Sequence, residues 1–397
     1  MELKTIVLSN KKESSLERKH PWVFSGAINR IISDTGEAPF NGELVEVVDI
    51  RNNFLALGYF SDGTIAVRVI SFKQEPINQE FWNNKVQQAF TVRENLGLTN
   101  NPTTNIYRLM HGEGDGIPGL VIDFYNGTAI IQAHAIGVYN ALDEISLALQ
   151  NVYGDKLIAV YNKSAESIAK QTNETVENGY IYQNGEPNVV GLENGNEFNL
   201  DWINGQKTGF FLDQRENRQL IADFSKEKKV LNTFCYSGGF SVYALKSGAS
   251  EVHSVDSSQK AIDLTDANIQ LNKLKKHKSF VSDTLDYLKD NTIDYDVIIL
   301  DPPAYAKSKK AQHNAIQGYK RLNLMALKQI KPGGILFTFS CSQAIHRKMF
   351  YDTLTAAAIE SGRNIRVLHH LSQPADHPVN IYHPEGEYLK GLVLYVE

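Results

Sequence analysis

The chain has 397 residues, of which 42% are hydrophobic and 21% are charged, as in an ordinary water-soluble globular protein. Two cysteines exclude a disulfide framework, and no run approaches the ~18–20 uninterrupted apolar residues that a membrane helix requires. The N-terminus lacks an apolar core followed by a small-residue cleavage site, so we expect a cytoplasmic protein.

The first predicted module covers residues 1–73 and consists of short strands. The segments "LVEVVDI", "FLALGYF" and "TIAVRVI" are separated by turns rich in Gly and Asn and show no helical periodicity. This pattern is typical of a small β-barrel-like module.

The second predicted module covers residues 74–190 and mixes helices with strands. It opens with the amphipathic helix "QEFWNNKVQQAFTVRENLGL". The strands "LVIDFY" and "TAIIQAH" are joined by Asn126-Gly127, a strong signal for a two-residue hairpin. The helix "VYNALDEISLALQNV" and the strand "KLIAVYN" follow, which together indicate a small α+β unit.

The third predicted module covers residues 191–397 and alternates strands with helices. The predicted strands are "KVLNTF", "EVHSVD", "HKSFVSD", "DVIILD", "GILFTFS", "IRVLHHL" and "GLVLYV". Helical segments separate most of them, which predicts a doubly wound parallel sheet and a multidomain α/β protein. The last two strands lack a helix between them, so we expect an antiparallel hairpin at the sheet edge.

Positive charge is concentrated in residues 301–350, although the chain carries a net charge of −5. This stretch has one acid and nine basic residues, a net charge of +8. The basic residues are Lys307, Lys309, Lys310, Lys320, Arg321, Lys328, Lys331, Arg347 and Lys348. A solvated helix face explains such a bias as well as a polyanionic partner does.

A glycine turn follows the first strand of the third module, at "NTFCYSGGF". Gly238 and Gly239 allow a tight turn and a close approach to a ligand, and Asp256 ends the next strand, where an acid binds ribose hydroxyls. NAD and S-adenosylmethionine (SAM) both suit this pattern, but the form G-x-G-x-x-G is absent, which disfavours NAD. Asp283 is expected either near the adenine or as a helix cap.

Two further residues end neighbouring strands of the predicted sheet. Asp301 closes "DVIILD" before Pro302 and Pro303, where ladder pairing must stop. Cys341 closes "GILFTFS", and adjacent strands lie ~4.8 Å apart, so both side chains are expected in one cleft. We expect a helix to begin after Ser342 and to lower the pKa of the Cys341 thiol. Cysteine is otherwise a small buried hydrophobe, which is our interpretation of Cys235.

At these residues the chain resembles the RlmI-type family of large-subunit ribosomal RNA (cytosine-5) methyltransferases. The resemblance runs through "KHPWVFSGAI", "YRLMHGEGDGIPGLVIDFY", "GQKTGFFLDQRENR", "NTFCYSGGF", "DPPAYAKSK", "FSCSQ" and "HPEGEYLKGL", and it covers the whole chain. It implies an N-terminal PUA-like β-barrel, a central α+β domain and a Rossmann-like class I methyltransferase sheet. It further implies SAM as cofactor, large-subunit rRNA as partner, and a homodimer.

The resemblance also assigns roles to individual residues. Cys341 would add to C6 of a cytosine, and Asp301 would hold the edge of the base. The residues expected to bind SAM are Phe211, Asp213, Gln214, Arg215, Phe234, Ser237, Gly238, Gly239, Asp256, Ser257, Asp283, Asp301 and Pro302. The residues expected to contact RNA are Lys307, Lys309, Lys310 and Arg347.

Two alternatives stay open at this point. The Asp-Pro-Pro segment also suits methylation of a base amine, although Tyr305 lies one residue beyond the usual aromatic position, and a noncatalytic protein that binds SAM and RNA is the other possibility. The C-terminal histidines match no zinc spacing, so we expect loop histidines and no metal. These histidines are His369, His370, His377 and His383.

Overall fold

The computed structural model describes residues 3–172, 175–290, 294–306 and 308–397. They form two compact units. The first comprises Met1–Val189, Leu200–Phe210 and Ala375–Gly386, and the second comprises Val190–Asn199, Phe211–Pro374 and Glu387–Glu397.

The first unit begins with a six-stranded sheet of order β2-β6-β5-β4-β1-β3. The three strands predicted for this part are confirmed as β4, β5 and β6, and their alternating apolar residues close over a buried core. The elements are β1 (Lys4–Leu8), α1 (Ser14–Glu17), β2 (Trp22–Phe24), β3 (Ile28–Ile32), β4 (Leu44–Val48), β5 (Phe54–Phe60) and β6 (Ile65–Ser71).

A second sheet in the same unit has the order β11-β10-β9-β8-β7. Asn126 and Gly127 both adopt positive φ and join β8 to β9 in the predicted antiparallel hairpin. The elements are α2 (Gln79–Asn95), β7 (Ile106–His111), β8 (Leu120–Tyr125), β9 (Thr128–Ala133), α3 (Ile136–Tyr139), α4 (Leu142–Tyr153), β10 (Ala159–Asn162), α5 (Ala165–Ile168) and β11 (Gly179–Gln183).

The second unit contains a two-stranded ribbon and a seven-stranded sheet of order β16-β15-β14-β17-β18-β20-β19. Strands β14 to β18 pair in parallel, whereas β20 pairs antiparallel with both β18 and β19. The strands are β12 (Val190–Glu193), β13 (Asn196–Asn199), β14 (Lys229–Thr233), β15 (Glu251–Asp256), β16 (His277–Val281), β17 (Tyr295–Leu300), β18 (Ile330–Ser340), β19 (Ile365–Ser372) and β20 (Lys390–Val396). The doubly wound sheet and its antiparallel edge pair are therefore confirmed.

Helices cover both faces of this sheet. The rings of Phe337 and Phe339, which point to one face of β18, meet Phe224 and Phe240 from two of the helices. Leu336 points to the other face and joins a core that includes buried residues of the two last helices. The helices are α6 (Arg215–Ser225), α7 (Gly239–Lys246), α8 (Gln259–Leu271), α9 (Thr284–Asp290), α10 (Gln312–Gln329) and α11 (Arg347–Ser361).

Two expectations about C-terminal segments are wrong. The helix expected after Ser342 begins at Arg347, with His346 as its N-cap, so four residues separate Ser342 from the first turn. His369 and His370 lie in β19, which confirms the predicted strand "IRVLHHL" and overturns the expectation of loop histidines at these two positions. Among the described residues, no helix is both long and apolar enough to span a bilayer.

Candidate functional site

The glycine turn between β14 and α7 is tightly wound. Phe234 and Tyr236 have φ of +54° and +47°, which costs a non-glycine residue about 1–2 kcal/mol each. Gly238 has φ of +70° and caps α7. Residues with such backbone angles cluster at ligand sites, where surrounding contacts hold them in place.

Helix α8 and strand β15 hold this turn through hydrogen bonds. Asp256 accepts from the backbone N–H of Tyr236 at 3.1 Å, and Thr265 donates its hydroxyl to the Tyr236 carbonyl at 3.0 Å. Asn268 donates to the carbonyl of Ser237 at 2.8 Å. These three hydrogen bonds hold the turn in its wound conformation. Thr265 and Asn268 carry no sequence motif, so sequence reasoning missed them.

No side chain larger than glycine fits at the two glycines of the turn. A Cβ atom on Gly238 would lie 2.6 Å from the Thr265 methyl group, and one on Gly239 would lie 2.8 Å from Cδ of Arg218. Arg218 is itself buried and forms a two-bond ion pair with Glu193, each bond 2.7 Å long. This ion pair supports the turn from within the unit.

Asp256 lies at the end of β15, as predicted, and each of its carboxylate oxygens accepts one backbone N–H, from Tyr236 and Ser258. A carboxylate oxygen has two lone pairs, so both oxygens can accept a further donor such as a ribose hydroxyl. The adjacent Ser257 is exposed. Asp283 is exposed and accepts from the N–H groups of Leu285 and Asp286, which makes it the cap of α9.

The segment predicted to line the cofactor pocket lies at the start of α6. The Phe211 ring meets the Tyr236 ring edge to face at 5.1 Å, while Gln214 and Arg215 are buried. Asp213 accepts from the hydroxyl of Tyr388 at 2.8 Å, and its other carboxylate oxygen is buried with no hydrogen-bond partner in the part of the chain that the structure describes. Such an oxygen suits a ligand that brings a cation or an N–H donor.

Asp301 and Cys341 lie where the sequence placed them, after the neighbouring parallel strands β17 and β18. The chain leaves β17 after Leu300, and the carbonyl of Pro302 lies 3.9 Å from the Cys341 Sγ. Strand β14, which leads into the glycine turn, pairs with β17 on its other side. The structure therefore brings the turn, Asp301 and Cys341 together at the carboxyl ends of three adjacent parallel strands, β14, β17 and β18.

Burial governs the protonation of both groups. Burial, and then the charge of Asp213, raise the pKa of Asp301 to about 7. Burial and the charges of Asp301 and Asp213 raise the pKa of the Cys341 thiol to about 12. The expected lowering of this pKa by a helix dipole is wrong, because α11 begins too far along the chain.

The loop after Cys341 is held by residues that the sequence did not single out. Lys390 is buried and donates to the carbonyls of Ser342 and Ile345, both at 2.7 Å. Burial lowers the pKa of this lysine to about 8. The Ser342 hydroxyl lies 3.0 Å from the hydroxyl of Tyr319, so the loop is tied to the core.

Cys235 lies in the glycine turn as a buried thiol. Its Sγ lies 3.5 Å from the Thr265 hydroxyl, and burial raises its pKa to about 12. These contacts agree with the interpretation of Cys235 as a packing residue.

The basic stretch is partly neutralised by acids. Lys320 pairs with Glu360 at 2.7 Å, Lys331 with Asp296 at 3.2 Å, and Lys348 with Asp352 at 2.7 Å, while Arg347 pairs with Glu387. Within the described part of the chain, no ion pair is found for the exposed residues Lys309 and Lys310. Lys307 lies outside the described residues.

Comparison with known proteins supports the cofactor. Residues 108–385 match the family model of S-adenosylmethionine-dependent methyltransferases, and residues 6–72 match that of PUA-like domains. The chain is 39% identical to ribosomal RNA large subunit methyltransferase I of Tolumonas auensis, over 98% of each chain. It is 38% identical to the protein of the same name from Photobacterium profundum, over 99% of each.

The chain belongs to this methyltransferase family. A solved methyltransferase structure in complex with SAH is 26% identical and superposes with a TM-score of 0.83, covering 99% of this chain and 100% of that one. The PUA-like and Rossmann-like folds implied by the resemblance are confirmed, and so is SAM as the cofactor. The hydrogen-bonded turn, the lone pairs that Asp256 can still offer and the Asp213 oxygen, for which the described residues supply no partner, fit the hydroxyls and positive charge of SAM.

Proposed function

We propose that this chain methylates C5 of a cytosine in large-subunit ribosomal RNA through a covalent adduct with Cys341. The observation that carries the proposal is the placement of Cys341 beside Asp301, after adjacent parallel strands and next to the glycine turn. The name shared by the full-length relatives supports rRNA as the substrate.

In this reaction the Cys341 sulfur adds to C6 of the cytosine while its thiol proton passes, through the Asp301 carboxyl group, to N3 of the ring, and the π-electron pair of the C5–C6 bond becomes nucleophilic at C5. SAM supplies an electrophilic methyl group for that carbon. A base then removes the C5 proton, the C5–C6 double bond forms again, and the Cys341 sulfur leaves with the electrons of its bond to C6. Sulfur suits both the first and the last step of this reaction, because a thiolate is a good nucleophile and also a good leaving group.

Asp301 holds the base and stabilises the adduct in this proposal. With a pKa of about 7, its carboxyl group is largely protonated below neutral pH and can donate a hydrogen bond to N3 of the cytosine. An ionised carboxylate can only accept, and it would accept from the exocyclic amine instead. The raised pKa therefore lets Asp301 exchange a proton with the ring as the adduct forms.

We also propose that the pocket around the glycine turn holds SAM. Asp256 and Ser257 would bind the ribose, and Asp283 would lie toward the adenine. The residues that would wall the rest of the pocket are Phe211, Asp213, Gln214, Arg215, Phe234, Ser237, Gly238, Gly239, Asp301 and Pro302.

Lys309 and Lys310 are our proposed phosphate contacts, since they are exposed and no ion pair is found for them in the described chain. The double variant K309Q/K310Q should weaken RNA binding. It should also make the slope of log binding constant against log salt concentration shallower by about 1.4–1.8. The matched control is Lys348→Gln, because this lysine is already paired with Asp352. Equal loss in the control would contradict the assignment. Arg347 is already engaged by Glu387, so a weaker effect is expected there.

The decisive experiment uses large-subunit rRNA tritiated at cytosine C5, incubated with the protein and SAM. Release of tritium together with methyl transfer is expected, and Cys341→Ala should abolish both. Methyl transfer without tritium release would instead identify a base-amine methyltransferase, and neither event would identify a noncatalytic SAM and RNA binder. Tyr305 packs its ring against Tyr319 at 4.6 Å, so one part of this ring is already engaged within the protein.

A further inference from the structure

Two histidines and a glutamate meet in the first unit, away from the glycine turn in the chain. They are His20, His383 and Glu385, and their nearest donor atoms all lie within 4.8 Å of one another. The Nε2 atoms of His20 and His383 lie 4.0 Å and 3.9 Å from the same Glu385 oxygen. Among the described residues this is the one such group of potential metal ligands.

His383 is unusual for a loop histidine. Only 3% of its surface is exposed, and neither ring nitrogen has a hydrogen-bond partner among the described residues. An unsatisfied buried polar group costs about 1–3 kcal/mol, so a buried imidazole with two free nitrogens needs a reason. The Trp22 ring covers it at a centroid distance of 4.3 Å, and Trp22 is itself fixed by a 2.9 Å bond to Glu113.

His20 is oriented so that its outer nitrogen can act as a ligand. Its Nδ1 lies 3.3 Å from the carbonyl of Trp22 and 3.2 Å from the N–H of the same residue. The Trp22 N–H donates to Nδ1 in the tautomer that carries its proton on Nε2, whereas in the tautomer protonated on Nδ1 the ring donates to the Trp22 carbonyl and Nε2 keeps its lone pair. A metal ion at Nε2 selects the second tautomer. Metal-bound histidines are commonly held in this way by a backbone carbonyl.

We infer that His20, His383 and Glu385 bind a divalent transition metal ion, with Zn²⁺ as the best match. Two imidazoles and one carboxylate form a three-ligand set that Zn²⁺ accepts, with water completing the shell. Ligands about 2.0–2.1 Å from Zn²⁺ lie roughly 3.3 Å apart, so the two pairs with Glu385 must close by about 0.6 Å, and the two imidazole nitrogens, which lie within 4.8 Å of each other, by up to about 1.5 Å. Glu385 can supply the first movement, because 58% of its side chain is exposed, and metal binding must draw the two histidine rings together for the second.

The ion would join parts of the chain that are far apart in sequence. His20 precedes β2 of the six-stranded sheet, whereas His383 and Glu385 belong to residues 375–386, which are part of the same unit. This segment is already fastened to that unit at Asp376, whose carbonyl accepts from Arg93 at 2.7 Å. A metal at His383 would fasten its other end, so we assign the ion a structural role.

The test titrates the EDTA-treated full-length protein with Co²⁺, followed by its visible d–d absorption, and then displaces Co²⁺ with Zn²⁺. We expect one ion per chain and a rise in the unfolding temperature when Zn²⁺ is added. Glu385→Gln and His20→Gln should each weaken binding at least about tenfold, because ligand loss exceeds the usual effect of a supporting residue. The control His134→Gln changes an exposed histidine of the same unit and should bind as the wild type does.

Glu385→Gln keeps the test decisive even if His383→Gln fails to fold, because the Glu385 side chain is exposed. Unaltered Co²⁺ affinity in both Glu385→Gln and His20→Gln would overturn the assignment. So would the absence of stoichiometric binding to the wild type.

Discussion

Substitution of Gly238 by alanine should destabilise the second unit through two separable effects. The left-handed φ of +70° costs a residue with a Cβ atom about 1–2 kcal/mol. The new Cβ atom would also lie 2.6 Å from the methyl group of Thr265, an overlap in a packed region that costs about 1–3 kcal/mol. The expected loss for Gly238→Ala is therefore about 2–5 kcal/mol.

The second substitution Thr265→Ser separates the two effects. Serine removes the clashing methyl group and keeps the hydroxyl that donates to the Tyr236 carbonyl at 3.0 Å. Thr265→Ser alone should cost about 1 kcal/mol for the lost buried methyl group. The double variant should recover part of the steric loss, because the Cβ and Oγ atoms at position 265 still lie 3.1 Å from the new Cβ atom, so the two changes are expected to couple favourably by about 1–2 kcal/mol.

The measurement is unfolding in urea. The transition to follow is the one that moves to a higher urea concentration when SAM is added, because it reports the unfolding of the unit that binds SAM. Gly248→Ala is the matched control, since Gly248 has φ of +96° and a Cβ atom there would meet nothing closer than 3.8 Å. This control should lose only the backbone contribution and should not couple to Thr265→Ser. Purely additive losses for Gly238→Ala and Thr265→Ser would refute the steric argument.

Three further outcomes are expected. In a Cys235→Ala background, the rate of Cys341 alkylation by iodoacetamide should rise about tenfold per pH unit and still be rising at pH 10, because the pKa of the thiol is about 12. A rate that reaches a plateau near pH 9 would contradict this. Glu193→Gln leaves the buried Arg218 charge without its counter-ion and should cost about 3–5 kcal/mol in urea unfolding, whereas a loss below 1 kcal/mol would show that the ion pair is dispensable. The wild type should lose stability as the pH rises from about 4 to 7, because burial of ionised Asp301 is unfavourable. Asp301→Asn should lack this part of the pH dependence. If the melting curve of each protein were the same at pH 5 and at pH 8, the raised pKa of Asp301 would be contradicted.

The sheet of the second unit could be predicted from the sequence because its strands are short apolar runs separated by helices. The position of Cys341 beside Asp301 followed from that alternation and from the usual adjacency of consecutive strands. The hairpin at Asn126-Gly127 could also be predicted from the sequence, because its turn requires two residues with positive φ and Asn-Gly adopts such angles readily. In these cases a local pattern determines the structure.

The contacts that complete the site could not be predicted, because they join residues that are distant in the chain. Tyr388 reaches Asp213 across 175 positions, and the buried amine of Lys390 holds the carbonyl of Ser342 across 48. Nothing in the local sequence marks a tyrosine or a lysine for such a partner. The expectation of a lowered Cys341 pKa is wrong for the same reason. Burial and carboxylates that are distant in the chain raise this pKa more than a helix that begins only at Arg347 can lower it.

Electrostatics couple the two proposed catalytic groups. The charge of Asp301 is one of the causes of the raised pKa of Cys341, so a protonated Asp301 favours the thiolate. The form of Asp301 that can donate to the cytosine ring is thus also the form that eases the nucleophile's loss of its proton. Asp301→Asn imitates that form at every pH and should speed alkylation of Cys341. Because Asn cannot return a proton, the same variant should still fail to methylate, which separates activation of the thiol from stabilisation of the adduct.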